Sequence, residues 1–381
     1  MGLLDGVTVL DLASVGPAAR ASGWLADYGA RVVKVGSLAT AQPTPPPYAY
    51  SGGRGTQRIR LDLKAPSGRE TFLRLCERAD VVIESFRPGV VDRLGVGYDD
   101  VKGRNPGIVY CSTSGYGQTG PRSSWAGHDI NYLAVAGYLA NTERSAGERP
   151  PLPGVTVADT AGGGMQAVIA ILAALLARAT NGSGAYLDVA VSEGVLSMMA
   201  LQVDQHLATG TPIEPGTAPL GTRFACYDVY RAADGWVAVG AIEAKFWANL
   251  CRLVGCEQWV EHQYDAARQD EIRADLADRF TARSRDEWVA LLAGEDTCVA
   301  PVLTVEEAAT DPGLDVRAGV ATARHPSAGE VRQLAPMLAG ADRHASYSLP
   351  DQSASDCDAV LSNADFTDEE IAALRESGAV A

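Results

Sequence analysis

VTVLDLASVGPAARASGWLADYGARVVKV, residues 7–35, decides the fold. VTVLDL (7–12) is a short apolar strand. AARASGWLADYGA (18–30) carries apolar residues at helical spacing and ends at Gly29. RVVKV (31–35) is apolar again. Two strands joined by a helix form a crossover unit, and the crossover makes the strands parallel. The alternation continues outward. A loop, GSLATAQPTPPPYAYSGGRGT, is kept irregular by its prolines and glycines. Then follow a strand at RIRLDL (58–63), an amphipathic helix at 65–79, and strands at DVVIESF (80–86) and GIVYCSTS (107–114). The class predicted is α/β, with a large parallel-sheet domain.

Downstream, DTAGGGMQAVIAILAALLARATNG (159–182) is apolar on nearly all sides and predicts a buried helix closed by Asn181-Gly182. Residues 184–210 read as a strand and then a helix. Residues 221–243 read as a hairpin about an Ala-Asp-Gly turn, and helical segments follow from Ala244 to about Leu292. This block predicts a smaller α+β domain. The expected division is 1–210 for the large domain, 221–310 for the small one, and 318–381 as a return to the large one. Residues 318–360 have the weakest periodicity. In the tail, Thr367 and Glu370 make a capping box, with Phe366 and Ile371 at staple positions.

The formal net charge of −15 argues against a nucleic-acid partner, which requires basic residues in excess. No run reaches the roughly 18 apolar residues of a membrane span, so none is expected. The opening residues lack a basic leader and include Asp5 and Asp11. The seven cysteines form no CxxC pair and read as reduced thiols of a cytoplasmic protein. No metal is expected. GYGQTG (115–120) fits a dinucleotide fingerprint, but Pro121 and RSSW follow it instead of a helix, so that reading is discarded. Gly115, Tyr116 and Gly117 remain candidates for close backbone approach to a ligand.

Three polar groups stand at the ends of apolar elements, where α/β folds present functional side chains. They are His128 in AGHDINY, Asp159 in ADTAGGG and Glu243 in VAVGAIEAKFW. Each has a plainer reading: a structural histidine, an N-cap, and a carboxylate beside a helix dipole.

These stretches, with RPGVVDRLGVG (87–97) and the tail FTDEEIAALRESGAVA (366–381), resemble the CaiB/BaiF, or family III, CoA-transferase superfamily over nearly the whole chain. The His of GHDINY and the Glu of GAIE resemble its α-methylacyl-CoA racemase branch. The resemblance implies proton removal and return at the carbon α to a thioester, with His128 and Asp159 as opposing acid/base groups. It implies that Glu243 bonds to His128 and that Asp129 supports the site. It also implies an interlocked homodimer whose site lies between the large domain of one chain and the small domain of the other. CoA enters as part of an acyl-CoA substrate, with no separate cofactor.

Neutral imidazole suits such a base because its pKa lies near operating pH. Backbone N–H groups after Asp159 are expected to hold the enolate oxygen, with Gly162 and Gly163 clearing the way. Arg54, Arg58, Arg60 and Arg87 are the candidates for the CoA phosphates, and Arg58 and Arg60 alternate onto one face of a strand. The sequence departs from the family after RVVKV. Gly36-Ser37-Leu38 stands where the family carries an acidic residue or an Asp-Arg-Pro element used to bind the nucleotide. Two alternatives stay open: a CoA-transferase acting through an Asp159 acyl anhydride, and a homologue recruited to a substrate other than CoA.

Overall fold

The computed structural model describes residues 2–13, 15–38, 46, 49–143, 147–214, 216–218, 220–221, 223–351 and 353–381. Most of the proline-rich loop, 39–45 and 47–48, lies outside the described residues. The chain forms two compact units. One comprises residues 1–136, 153–199 and 312–381, and the other 137–152 and 200–311. The division differs from the expected boundaries in two places. Residues 137–152 and 200–210 group with the second unit because their contacts lie there.

The first unit is built on six parallel strands: β1 (Thr8–Asp11), β2 (Arg31–Gly36), β3 (Thr56–Arg60), β4 (Val81–Glu84), β5 (Val109–Ser114) and β6 (Ala185–Ala190). Their spatial order is β3-β2-β1-β4-β5-β6, so the winding direction reverses between β1 and β4. In such sheets that reversal opens a crevice at the carboxyl ends.

Strand periodicity explains why helices cover both faces. Val9, Val32, Val81 and Val109 point one way, into a core with Ala18, Ala21 and Leu25 of the helix Gly16–Asp27 and with Ala167, Val168 and Ile171. Their neighbours Leu10, Val33, Val82 and Tyr110 point the other way, against Phe72 of the helix Pro66–Cys76 and against Val360, Phe366 and Ile371. The capping box forms as expected: Thr367 N–H donates to Glu370 at 2.8 Å, and Glu370 N–H donates to the Thr367 hydroxyl at 3.2 Å.

The edge of β3 is covered by chain far downstream. Asp356 N–H donates to the Arg58 carbonyl, Asp62 N–H to Ala379, and Ala381 N–H to Arg60, while Leu61 bridges Val380. A small sheet that the sequence did not signal, β10 (Val320–His325), β11 (Gly329–Leu334) and β12 (Ser346–Ser348), also belongs to this unit.

The long apolar segment is one helix, Ala158–Asn181. Its mean hydropathy of 1.8 and its length would pass for a membrane span, yet only 39% of that window is buried. The expectation of a helix buried all round is corrected. One row faces the sheet, while Ile169 (68% exposed) and Leu176 (74%) share an open face with Met165.

The second unit carries the antiparallel sheet β7 (Tyr227–Arg231), β8 (Trp236–Gly240) and β9 (Val299–Pro301). The β7–β8 turn closes through Ala232 N–H to the Gly235 carbonyl at 2.9 Å. Trp247, Leu250, Ile272, Phe280 and Trp288 from three helices fill its core. All seven cysteines are free thiols and six are buried.

Glu84 ends β4 at the reversal point and is 1% exposed. Its carboxylate accepts Phe86 N–H at 2.7 Å and a bond from the Ser112 hydroxyl. Burial outweighs these bonds, and Asp92 and Asp188 add repulsion, so its pKa rises from 4.5 to about 7. The folded state therefore holds this proton more tightly than the unfolded chain. The stabilisation is complete below the unfolded value and is lost as pH rises through the folded one. Glu84→Gln keeps the acceptor for Phe86 and removes the titration. In urea melts it should match the parent near pH 4.5 and exceed it at pH 8, by at most roughly 3 kcal/mol.

Candidate active site

His128 caps the helix Asp129–Val135 in extended backbone, φ −128° and ψ 177°. The cap runs in reverse: His128 N–H donates to the Asn131 side-chain oxygen at 3.0 Å. The imidazole is exposed and hydrogen-bonds to no described residue, so it is open to a substrate. The ring of Tyr132 packs against Gly127, the residue before His128. The Tyr132 hydroxyl donates to the Gly127 carbonyl at 2.6 Å, and the ring packs edge-on against Tyr116 at 5.2 Å.

Asp159 is the second residue of the long helix, whose first two turns, Ala158–Met165, are widened to π geometry. Such turns are rare and cluster at functional sites. Asp159 is half-buried, and its N–H donates to the Asp129 carboxylate at 2.9 Å. That bond ties the turn carrying Asp159 to the residue that follows His128. The two groups expected as an acid/base pair thus belong to one cluster.

Its electrostatics are uneven. Burial raises the Asp159 pKa and the Asp129 carboxylate raises it further, while Arg20 and His128 pull it down. Burial also lifts the Tyr132 phenol to about 12, with Asp159 contributing. Arg20, Asn131 and Tyr132 were not singled out in the sequence. The last two sit three and four positions after His128, one helical turn on.

The other expected residues divide. Gly162 and Gly163 are buried and make room for protein. A Cβ on Gly163 would lie 2.6 Å from Pro17 and 2.9 Å from Val191, and one on Gly162 would lie 2.9 Å from the Val191 carbonyl. Their expected part in clearing an oxyanion site is therefore corrected. The Asp159 N–H is spent on Asp129 and the Thr160 N–H on the Thr156 carbonyl.

The Gly115-Tyr116-Gly117 loop is likewise structural. A Cβ on Gly115 would collide with the Tyr132 ring, Gly117 has φ +86°, and the next N–H, of Gln118, is held by Asp188 at 2.9 Å.

Arg54 is not available to a phosphate. It is 6% exposed and forks onto Asp27 at 2.7 and 2.8 Å. It also donates to Gln333 and to the Leu334 carbonyl, clamping β11 to the first helix. Arg87 is exposed just past β4 and has no ion pair among the described residues. Arg58 stands beside Lys34 on the neighbouring strand, and no described residue accepts from its guanidinium. Burial and then Arg60 lower its pKa, with Asp11 and Asp356 opposing them. Glu243 belongs to the second unit, where it is the exposed N-cap residue of the helix Ala244–Val254 and makes no capping bond. No cluster of metal-ligating side chains occurs among the described residues.

The family model described as CoA-transferase family III matches residues 4–351. The chain belongs to CoA-transferase family III. Within family III, the chain is 37% identical to the human alpha-methylacyl-CoA racemase over 313 residues, covering 80% of this chain and 78% of that protein. It is 34% identical to a probable fatty acyl-CoA transferase of Mycobacterium tuberculosis, covering 76% and 79%. The crystal structure of a CaiB/BaiF family protein from Brucella suis matches with a TM-score of 0.78 at 28% identity, covering 95% and 99%. The family III relatives thus include both racemases and transferases.

The packing account of the glycines has a direct consequence. Gly163→Ala forces a methyl into Pro17 and Val191 and should cost about 1–3 kcal/mol in chemical denaturation. Gly154→Ala, with open space around it, should be nearly neutral.

Proposed function

We propose that this family III chain is an α-methylacyl-CoA racemase-like enzyme. It moves a proton on and off the carbon next to a thioester, with His128 and Asp159 as the two acid/base groups. The observation that carries the reading is the bond between Asp159 N–H and Asp129. It joins a solvent-open imidazole and a partly desolvated carboxyl in one cluster.

Inverting a carbon centre requires a base on one face and an acid on the other. A neutral imidazole can serve as the base. A carboxyl whose proton is held more tightly than usual serves as the acid. The two exchange roles in the reverse direction, so one proton shared by the pair suffices for both.

The open imidazole of His128 beside the Asp159 turn is why racemisation is preferred to the transferase chemistry of other relatives. A transferase acting through an Asp159 acyl anhydride has no need of that second group. The substrate is assigned as an acyl-CoA thioester, with CoA as part of it and no separate cofactor. Arg58 and Arg87 are assigned to its anionic end, with Arg87 at the crevice where β1 and β4 diverge. Glu243 is assigned as the partner of His128, and the active form as a homodimer. The uncovered row Met165, Ile169 and Leu176 supports an assembly of that kind. We assign the enzyme to the cytoplasm, with neither nucleic acid nor membrane as partner.

The test is solvent exchange. A 2-methylacyl-CoA incubated with enzyme in deuterium oxide should return with deuterium at the α-carbon. His128→Ala and Asp159→Asn should each slow this by roughly 10²–10⁴-fold. Unlabelled thioester together with a covalent adduct on Asp159 would establish the transferase reading instead. Neither label nor adduct would remove CoA thioesters from consideration.

A further inference from the structure

The helix Gly16–Asp27 lies directly against the turn that carries Asp159. Pro17 packs at Gly163, and Trp24 at Gly164, where a Cβ would lie 2.9 Å from the indole. Residues 17, 20 and 24 recur at three and four positions, so Arg20 sits between these contacts on the same helix face. Its guanidinium donates to the Thr156 hydroxyl at 2.9 Å, three residues before Asp159. The charged group on that face is therefore fixed at the entrance to the widened turn.

We propose that Arg20 is a positioning residue for Asp159, a built-in counter-charge that holds the carboxyl in a state able both to give and to take a proton. This rests on the acid/base reading of Asp159. The physical need is plain. Half-burial and the Asp129 carboxylate both favour the protonated form. A carboxyl held too firmly in that form is present as the acid but seldom as the base. A cation opposing both effects keeps the two directions of proton transfer comparable, which a racemase requires.

The charged and titratable groups facing Asp159 are few. His128, Asp129 and Tyr132 come from the 128–135 segment, and Arg20 from the first helix. The helix Val191–Met198, also packed on the turn, carries Glu193, which is exposed. β6 carries Asp188, which is occupied by Gln118 N–H. Arg20 is therefore the fixed cation in the set. Its removal should raise the titration of Asp159, because an opposing positive charge lowers a carboxyl's pKa.

The experiment is the pH profile of α-hydrogen exchange in R20M, R20K and T156V. Both limbs of the bell should move to higher pH in R20M, by about half a unit or more, because one unit charge has been removed from a partly wet site. R20K should keep the parent limbs. T156V should lose rate without moving them. An R20M enzyme that is slower with unmoved limbs, or an R20K enzyme displaced as far as R20M, overturns the proposal. A second readout does not depend on turnover. The Asp159 side-chain carboxyl, followed by carbon-13 NMR, should titrate higher in R20M than in the parent. No difference there overturns the proposal. Absence of α-exchange in the parent would instead count against the functional reading.

Discussion

The structure turns on how closely backbone approaches backbone around Gly162–Gly164. The helix Gly16–Asp27 meets this segment through Pro17 and Trp24, and the helix Val191–Met198 meets it through Val191, Val195 and Gly194. A side chain on Gly194 would run into the Gly162 carbonyl, so the contact is glycine against glycine. Three helices can converge there only because no Cβ intervenes. The turn between them opens to π geometry, and that places Asp159 where its N–H meets Asp129. Loosening the glycine contact would uncouple Asp159 from the His128 helix with no active-site atom altered.

The same contact sets up an imbalance between His128 and Asp159. His128 is in water, while Asp159 is half out of it. Desolvation acts on one member of the pair, and the nearby carboxylate of Asp129 acts in the same direction. Both effects favour the protonated form of the Asp159 carboxyl. The arginine on the first helix works against this, so the element that supplies the packing also supplies the correcting charge.

The sheet and its two cores were legible in the sequence because strand alternation maps directly onto two faces, as Val9 and Leu10 show. The capping box of Thr367 was legible because it is local. What depended on distant chain was not. Arg54 among glycines looked like a ligand arginine, but its partners Gln333 and Leu334 lie 279 and 280 positions away. The glycines at 162 and 163 stand out in the sequence as room for a ligand, but the space they leave is filled by Pro17 and Val191. The outer row of the 158–181 helix reads as core in the sequence because composition cannot say which side of a helix has a neighbour. Arg20 left no signal because its meaning comes from a turn more than a hundred residues further on.

The covering of β3 carries a consequence for synthesis. The groups that pair with its outer edge include Asp356, 298 positions beyond Arg58. At about 5–20 residues per second, roughly 15–60 s pass between the two leaving the ribosome. During that interval the nascent sheet shows an unpaired rim of N–H and carbonyl groups, a template for stray strands. The newborn chain is therefore most exposed to aggregation while its central portion is still being made, and a ribosome-associated holdase would find its substrate there.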